Sequence, residues 1–227
     1  MKIISLLSGF FLLAVGFVPF MNKPSVFLIG DSISIHYTDD LKEYGAEWID
    51  LDRKRDDGKA DPEAGVMENA NGGDSKMVLG YLKARLKDPG FKPDYLLINC
   101  GLHDIKRKMP EGELQVGPDD YRKNLTEIFE LARTHQIPLI WIRTTPVVDR
   151  IHNTHSTSVH RYAKDLDQYN EIADETAAKY QIPVIDLYDF TRRLGEGSFI
   201  DHVHYDENTR SLQAAFIMGS LSQILKR

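Results

Sequence analysis

Ser32 lies in Gly30-Asp31-Ser32-Ile33-Ser34, directly after an apolar run, and Asp201-His202-Val203-His204 lies near the other end of the chain. A serine hydroxyl is a weak nucleophile until a base takes its proton. A carboxylate three residues before a histidine can reach the ring across one turn. It then fixes the tautomer and leaves Nε2 free to accept a proton. Each stretch also has an ordinary reading. G-D-S is a frequent Asx or Ser turn, or a helix cap, and D-x-x-H is a common spacing.

Two further stretches bear on the choice. Asn99-Cys100-Gly101-Leu102-His103-Asp104 closes a second apolar run, and Asn71-Gly72-Gly73-Asp74-Ser75 precedes a stretch with helical periodicity. Glycine lets a substrate oxygen approach a backbone N–H closely, and a helix N-terminus adds positive potential there. Such a place suits an oxyanion. The second G-D-S, at 73–75, follows a polar loop and enters a helix, so Asp74 and Ser75 read as capping residues and Ser32 as the nucleophile. G-x-S-x-G, G-x-x-x-x-G-K-[ST] and a G-x-G-x-x-G after the first strand are all absent. This counts against an α/β-hydrolase elbow, a P-loop and a dinucleotide site, and so against a flavodoxin-like nucleotide binder.

The elements that must hold these residues alternate. Apolar runs at 25–29, 95–100, 138–144 and 182–187 read as buried strands, and Glu47–Leu51 as a short further strand. Helical spacing covers 75–87, 119–135, 160–180 and 206–225, with a short helical piece after the last strand. Residues 52–73, 105–118 and about 146–158 read as polar loops. The alternation predicts an α/β domain, a parallel sheet covered by helices on both faces. Sites in such sheets form beyond the C-terminal strand ends, here at 30–37, 72–75, 101–105, 145–160 and 198–205.

At 227 residues the chain allows one large domain or two small ones. Its 42% hydrophobic and 27% charged residues are ordinary globular usage, and a net charge of −6 offers no basic surface for nucleic acid. One cysteine, Cys100, excludes an internal disulfide and any multi-thiolate metal centre; it reads as a small buried hydrophobe. Residues 3–20 carry no charge and follow Lys2, the pattern of an export leader, with small residues placed for cleavage after Gly16. The alternatives are an uncleaved N-terminal anchor or a buried first helix. The division is therefore 1–22, signal peptide or anchor, and 23–227, a single domain, exported and with the leader cleaved.

The four motifs, in this order and strand context, resemble the SGNH/GDSL hydrolase superfamily from Ser25 to the last helix. G-D-S-I-S with G-L-H-D is similar to a bacterial subgroup of it. The resemblance implies a three-layer, flavodoxin-like fold with about five parallel strands, and a serine ester hydrolase needing no cofactor or metal. It implies Ser32 as nucleophile, His204 as base and Asp201 as its orienting acid. It also implies an oxyanion hole built from the N–H groups of Ser32 and Gly73. The family's third motif usually carries asparagine where this chain has His103. That histidine is an oxyanion donor, a substrate contact or a packed structural residue. His202 is a rival base, but too close to Asp201 in sequence for the family's geometry.

Weaker candidates are Asp31 and Arg143 as substrate contacts. For Arg143 packing or an ion pair is the commoner outcome. His152, His155 and His160 with Asp149 would suit zinc, although a solvated loop beside the cleft is the ordinary reading. Asn124-Leu125-Thr126 matches a glycosylation sequon but falls inside a helix. Trp141, Tyr95 and Phe129 fit core positions. The polar loops, with Arg53, Lys54, Arg55, Asp56, Asp57 and Lys59 in one of them, point to a small acyl ester, an O-acetylated carbohydrate, as the substrate. The alternatives are a lysophospholipase or thioesterase-type acylhydrolase, and a non-catalytic glycan-binding protein on the same fold.

Overall fold

The computed structural model describes residues 22–55, 69–108 and 112–225. The leader, and most of the loop containing Asp56, Asp57 and Lys59, lie outside the described residues. Five strands, β1 (Ser25–Ile29), β2 (Asp50–Arg53), β3 (Tyr95–Ile98), β4 (Leu139–Ile142) and β5 (Val184–Ile185), form one sheet in the order β2-β1-β3-β4-β5, all parallel. Successive side chains of a strand point to opposite faces. Leu28 and Ile29, Leu97 and Ile98, and Trp141 and Ile142 are all fully buried, so both faces of the sheet are covered. The covering helices are α1 (Ser32–Gly45), α2 (Ser75–Arg85), α3 (Pro118–Thr134), α4 (Asp149–His155), α5 (Ala163–Tyr180), α6 (Leu187–Leu194) and α7 (Glu207–Ile224). Helices α1, α6 and α7 pack into one group, and α2, α3 and α5 into another. No described helix is long and apolar enough to cross a membrane.

The α/β, parallel, helix-covered architecture is the one expected, with several local differences. The apolar pattern did not separate out α1, whose buried Ile33, Tyr37 and Leu41 are interleaved with buried Ser34 and Thr38. Strand β2 runs from Asp50 to Arg53 and not from 47 to 51, because the chain is still turning out of α1 at Trp48, whose N–H bonds Gly45 O. Trp48 is left exposed. Residues 149–155, expected to be loop, form α4. Helix α5 starts at Ala163 because His160 exchanges both backbone hydrogen bonds with Arg107, and the pairing draws it into a bridge. Only two residues of the expected last strand pair with β4, since Asp186 turns away to cap α6.

Arg53 and Lys54, expected on a polar rim, are buried. Arg53 ends β2 and donates to Thr38 Oγ1 (2.6 Å), Ser34 Oγ (3.2 Å) and Ala70 O (2.9 Å). Lys54 lies over the Tyr81 ring, with its ammonium on Asn69 O. Both residues anchor the far end of the loop instead of facing a substrate.

Candidate active site

The chain leaves β1 at Gly30 and enters α1 at once. Asp31 caps that helix, accepting the Ile33 N–H at 3.0 Å. Ser32 is therefore the first residue of α1. Its N–H has no acceptor within the helix, and the helix dipole favours negative charge beside it. The 198–206 segment is a tight loop closed by Ile200 N→His204 O and Asp206 N→Ser198 O, both 2.9 Å. Tyr205 anchors it from within by donating to Pro146 O at 3.1 Å, beyond the end of β4.

The fold brings Ser32, His204 and Asp201 together. Ser32 Oγ and His204 Nε2 are 2.8 Å apart, and His204 Nδ1 lies 2.7 Å from Asp201 Oδ2. The other Asp201 oxygen accepts the N–H groups of Val203 and His204, each at 2.8 Å. Burial alone would raise the Asp201 pKa. Those two N–H groups and the His204 ring outweigh it and hold the carboxyl well below the usual carboxylate range. An ionised carboxylate only accepts, so the hydrogen on Nδ1 belongs to His204. Nε2 then presents a lone pair to the serine hydroxyl. His36, one turn after Ser32, packs against the His204 ring at 4.7 Å between centroids. His202 instead turns toward His152, with ring centroids 4.6 Å apart.

The segments at 71–75 and 101–104 are tied to this centre and to each other. Gly72 N–H donates to Gly30 O at 2.8 Å. Asp104, fully buried, takes the Ser75 N–H on both oxygens, at 2.9 and 3.1 Å. Burial pushes the Asp104 carboxyl up to about 8 against the hydrogen bonds from Ser75. Asp74 caps α2 through Met77 N–H (2.9 Å) and takes Gln115 Nε2 on its other oxygen (2.7 Å). Ser75 is fully buried, and its hydroxyl accepts from Asn124 Nδ2 at 2.9 Å, which occupies the sequon asparagine too. Gly73 has φ +73°, and a Cβ there would collide with Met77 Sδ. Its N–H points at Asn71 Oδ1, 2.8 Å away, so in this state the expected oxyanion donor is engaged by a neighbouring side chain.

His103 is partly buried, and its Nδ1 lies 2.9 Å from Lys106 Nζ. Burial, then the charges of Lys106 and Arg161 and the nearby His204, push its pKa down to about 3. Arg161 is itself buried. It donates from Nε to Leu102 O at 2.6 Å and from Nη1 to His152 Nε2.

The remaining expected residues have other occupations. Asp31 is buried under the first turn of α1, as its capping role requires. Arg143 bonds Asp186 at 2.9 Å and Asp174 at 3.2 Å and lies over the Tyr188 ring, so its fork is spent on an ion-pair network. The histidine-rich stretch is part helix, α4, and part solvated, with His155 exposed. His152 is fully buried, His155 Nδ1 bonds Ile151 O, and Asp149 accepts the Ala163 N–H. Among the described residues no group of three such side chains could hold a metal ion. Cys100 is a buried free thiol.

Sequence reasoning named Asp104 and Asn71 only as members of their motifs, without a role, and passed over Lys106, Arg161 and His36. Lys106 is one helical turn from His103, so spacing could have found it. Arg161 reaches Leu102 across 59 residues, and no local pattern signals that contact.

A family model, GDSL-like lipase/acylhydrolase, matches residues 28–208, most of the chain. The chain belongs to that family. No curated protein matches the sequence. Among solved structures, a lipase/acylhydrolase from Enterococcus faecalis superposes with a TM-score of 0.63 at 19% identity, over 88% of this chain and 96% of that one. A putative acylhydrolase from Bacteroides fragilis gives 0.64 at 18%, over 91% and 90%. An acetyl xylan esterase, AlAXEase, gives 0.60 at 16%, over 87% and 99%. At these identities the likeness is one of fold. Membership places this acylhydrolase-family chain among ester hydrolases.

Proposed function

We propose that this GDSL-family protein is a serine esterase that removes a small acyl group, an acetyl, from a carbohydrate. The carrying observation is the unbroken line from Ser32 Oγ to His204 Nε2 (2.8 Å) and from His204 Nδ1 to Asp201 Oδ2 (2.7 Å). In this reading His204 takes the Ser32 proton as Oγ attacks the ester carbonyl, and Asp201 stabilises the imidazolium. The Ser32 N–H and the His103 ring face the developing oxyanion. The Gly73 N–H joins them once the Asn71 side chain releases it. Collapse of the tetrahedral intermediate expels the alcohol, which takes its proton from His204. Water then enters by the same steps in reverse to free the acid and Ser32.

The small acyl group is supported by what surrounds the serine and by where the apolar cavities lie. The polar rings of His36 and His202 lie 4.7 and 6.3 Å from the His204 ring between centroids. Among the described residues, two apolar cavities, one between Phe129, Pro138 and Tyr180 and one between Tyr44, Trp48 and Met218, lie away from that ring, the first at the N-terminal end of β4. A long acyl chain would need such a trough beside Ser32. The charge-free residues 3–20 support action outside the cytoplasm.

The test is a panel of aryl esters from acetyl to long-chain, run on wild type and Ser32→Ala together with fluorophosphonate labelling. The expected result is acetyl preference, with activity and label lost in Ser32→Ala. A preference beyond about eight carbons would move the assignment to a lipase-like acylhydrolase, which needs an apolar site. Absence of labelling in the wild type would favour a binding protein.

A further inference from the structure

An imidazole donates from the nitrogen that holds its hydrogen, and its other nitrogen accepts. His103 therefore helps an oxyanion only in one tautomer. Lys106 Nζ lies 2.9 Å from His103 Nδ1. An ammonium has three hydrogens and no lone pair, so Nδ1 must be the acceptor. Lys106 is well held. Its carbonyl accepts the Gln115 N–H at 2.8 Å and its N–H bonds His103 O at 3.3 Å, while the next residue, Arg107, is clamped by His160 and by Asp165.

We propose that Lys106 is a positioning residue for His103: it occupies Nδ1, so that the ring is neutral and carries its hydrogen on Nε2, the nitrogen available to a substrate oxyanion. The inference rests on the esterase reading and deepens it. The charge of Lys106 matters as much as its hydrogen bond. The groups bearing on His103 are Lys106 from its own turn, Arg161 from the segment before α5, and His204 from the Asp201 loop. Lys106 in turn faces Arg161, Asp74, Asp31 and Asp104. With Lys106 gone, one of the positive charges that oppose a proton on His103 is lost, so the ring takes one up more readily, against the burial and Arg161 that remain. A second imidazolium would then stand close to His204, opposing the positive charge that His204 must take from Ser32.

The test is ¹⁵N NMR of the histidine rings in full-length protein, wild type, Lys106→Met and Lys106→Arg, with acetyl-ester kinetics beside it. In the wild type, His103 is expected to show a bare Nδ1 and a protonated Nε2 from about pH 5 to 8. In Lys106→Met the ring should gain its proton at a higher pH than in the wild type, still below the ordinary 6.5 because burial and Arg161 remain, and kcat should acquire a matching acid limb. At neutral pH kcat should fall about tenfold, a fraction of the 10²–10³ that a lost oxyanion donor costs. Lys106→Arg should restore the neutral ring and most of the rate. A wild-type His103 with its hydrogen on Nδ1, or a Lys106→Met ring with unchanged tautomer and titration, overturns the proposal. The wild-type spectrum decides the tautomer even where a variant does not fold. A wild type that shows this tautomer but cleaves no ester overturns the esterase reading instead.

Discussion

His103 stands where the family resemblance implies an asparagine, and an imidazole in that place changes what the site demands. An asparagine donates whatever its surroundings. An imidazole does so in every protonation state only if something dictates where its hydrogen sits. His103→Ala removes one donor and should lower kcat on an acetyl ester by about 10²–10³, with a smaller change in KM, because the interaction strengthens as the oxyanion forms. Unchanged kcat would take the histidine out of the hole. The two G-D-S serines make a paired test at the same scale. Ser32 sits 2.8 Å from a histidine base, whereas Ser75 is fully buried against Asp104 and Asn124. Ser32→Ala should abolish turnover, and Ser75→Ala should keep most of it while lowering thermal stability.

At the scale of elements, the site is assembled from loop ends that hold one another. Gly72 bonds Gly30, Asp104 bonds Ser75, and Arg161 reaches Leu102 and His152. Gly73 shows how little room is left. Its φ of +73° is strained for any residue with a Cβ, and the Met77 side chain fills the space that a Cβ would need. Gly73→Ala should cost about 1–3 kcal/mol of stability and, by shifting the 71–74 turn, reduce kcat more than substrate affinity. Denaturant midpoints and steady-state kinetics on the same preparation check both. A variant as stable and active as wild type would show that the turn relaxes without strain. The start of α2 was legible in sequence, since Asp74 caps it as its type and position imply. The boundaries at β2 and α5 were not, because a backbone turn and a pairing with Arg107 decide them.

For the whole molecule, the buried ionisable groups pull the pH dependence of stability in opposite directions. His152 is pushed down to about 4 by burial and by Arg161, so the native state binds fewer protons than the unfolded chain between about 4 and the ordinary 6.5. It therefore costs stability as pH falls through that window. Asp104 is pushed up to about 8, so it does the reverse, adding stability as pH falls from about 8 toward 4. Substituting each separately should tilt the curve in opposite senses. His152→Asn should lose less stability than wild type between pH 7 and 5, and Asp104→Asn should lose more. Chemical denaturation across that range measures both, and equal slopes in all three proteins would count against these assignments.

The linear order of residues was enough to determine most of the alternation of strands and helices, the parallel sheet, the Asp74 cap and the four stretches that gather at one end. Those depend on local periodicity, glycine and capping chemistry, which act over a few residues. The family resemblance that the motifs carry also implied that Ser32 and His204 would be partners. Only the tertiary structure decided which side chains are already engaged. Arg143 is spent on Asp174 and Asp186, Arg53 and Lys54 are buried, Gly73 N–H is engaged by Asn71, and Arg161 bridges two loops. The reason is physical. A side chain's charge and hydrogen bonds are settled by whatever the folded chain brings within about 3 Å of it, and residues so close in space can be far apart in sequence.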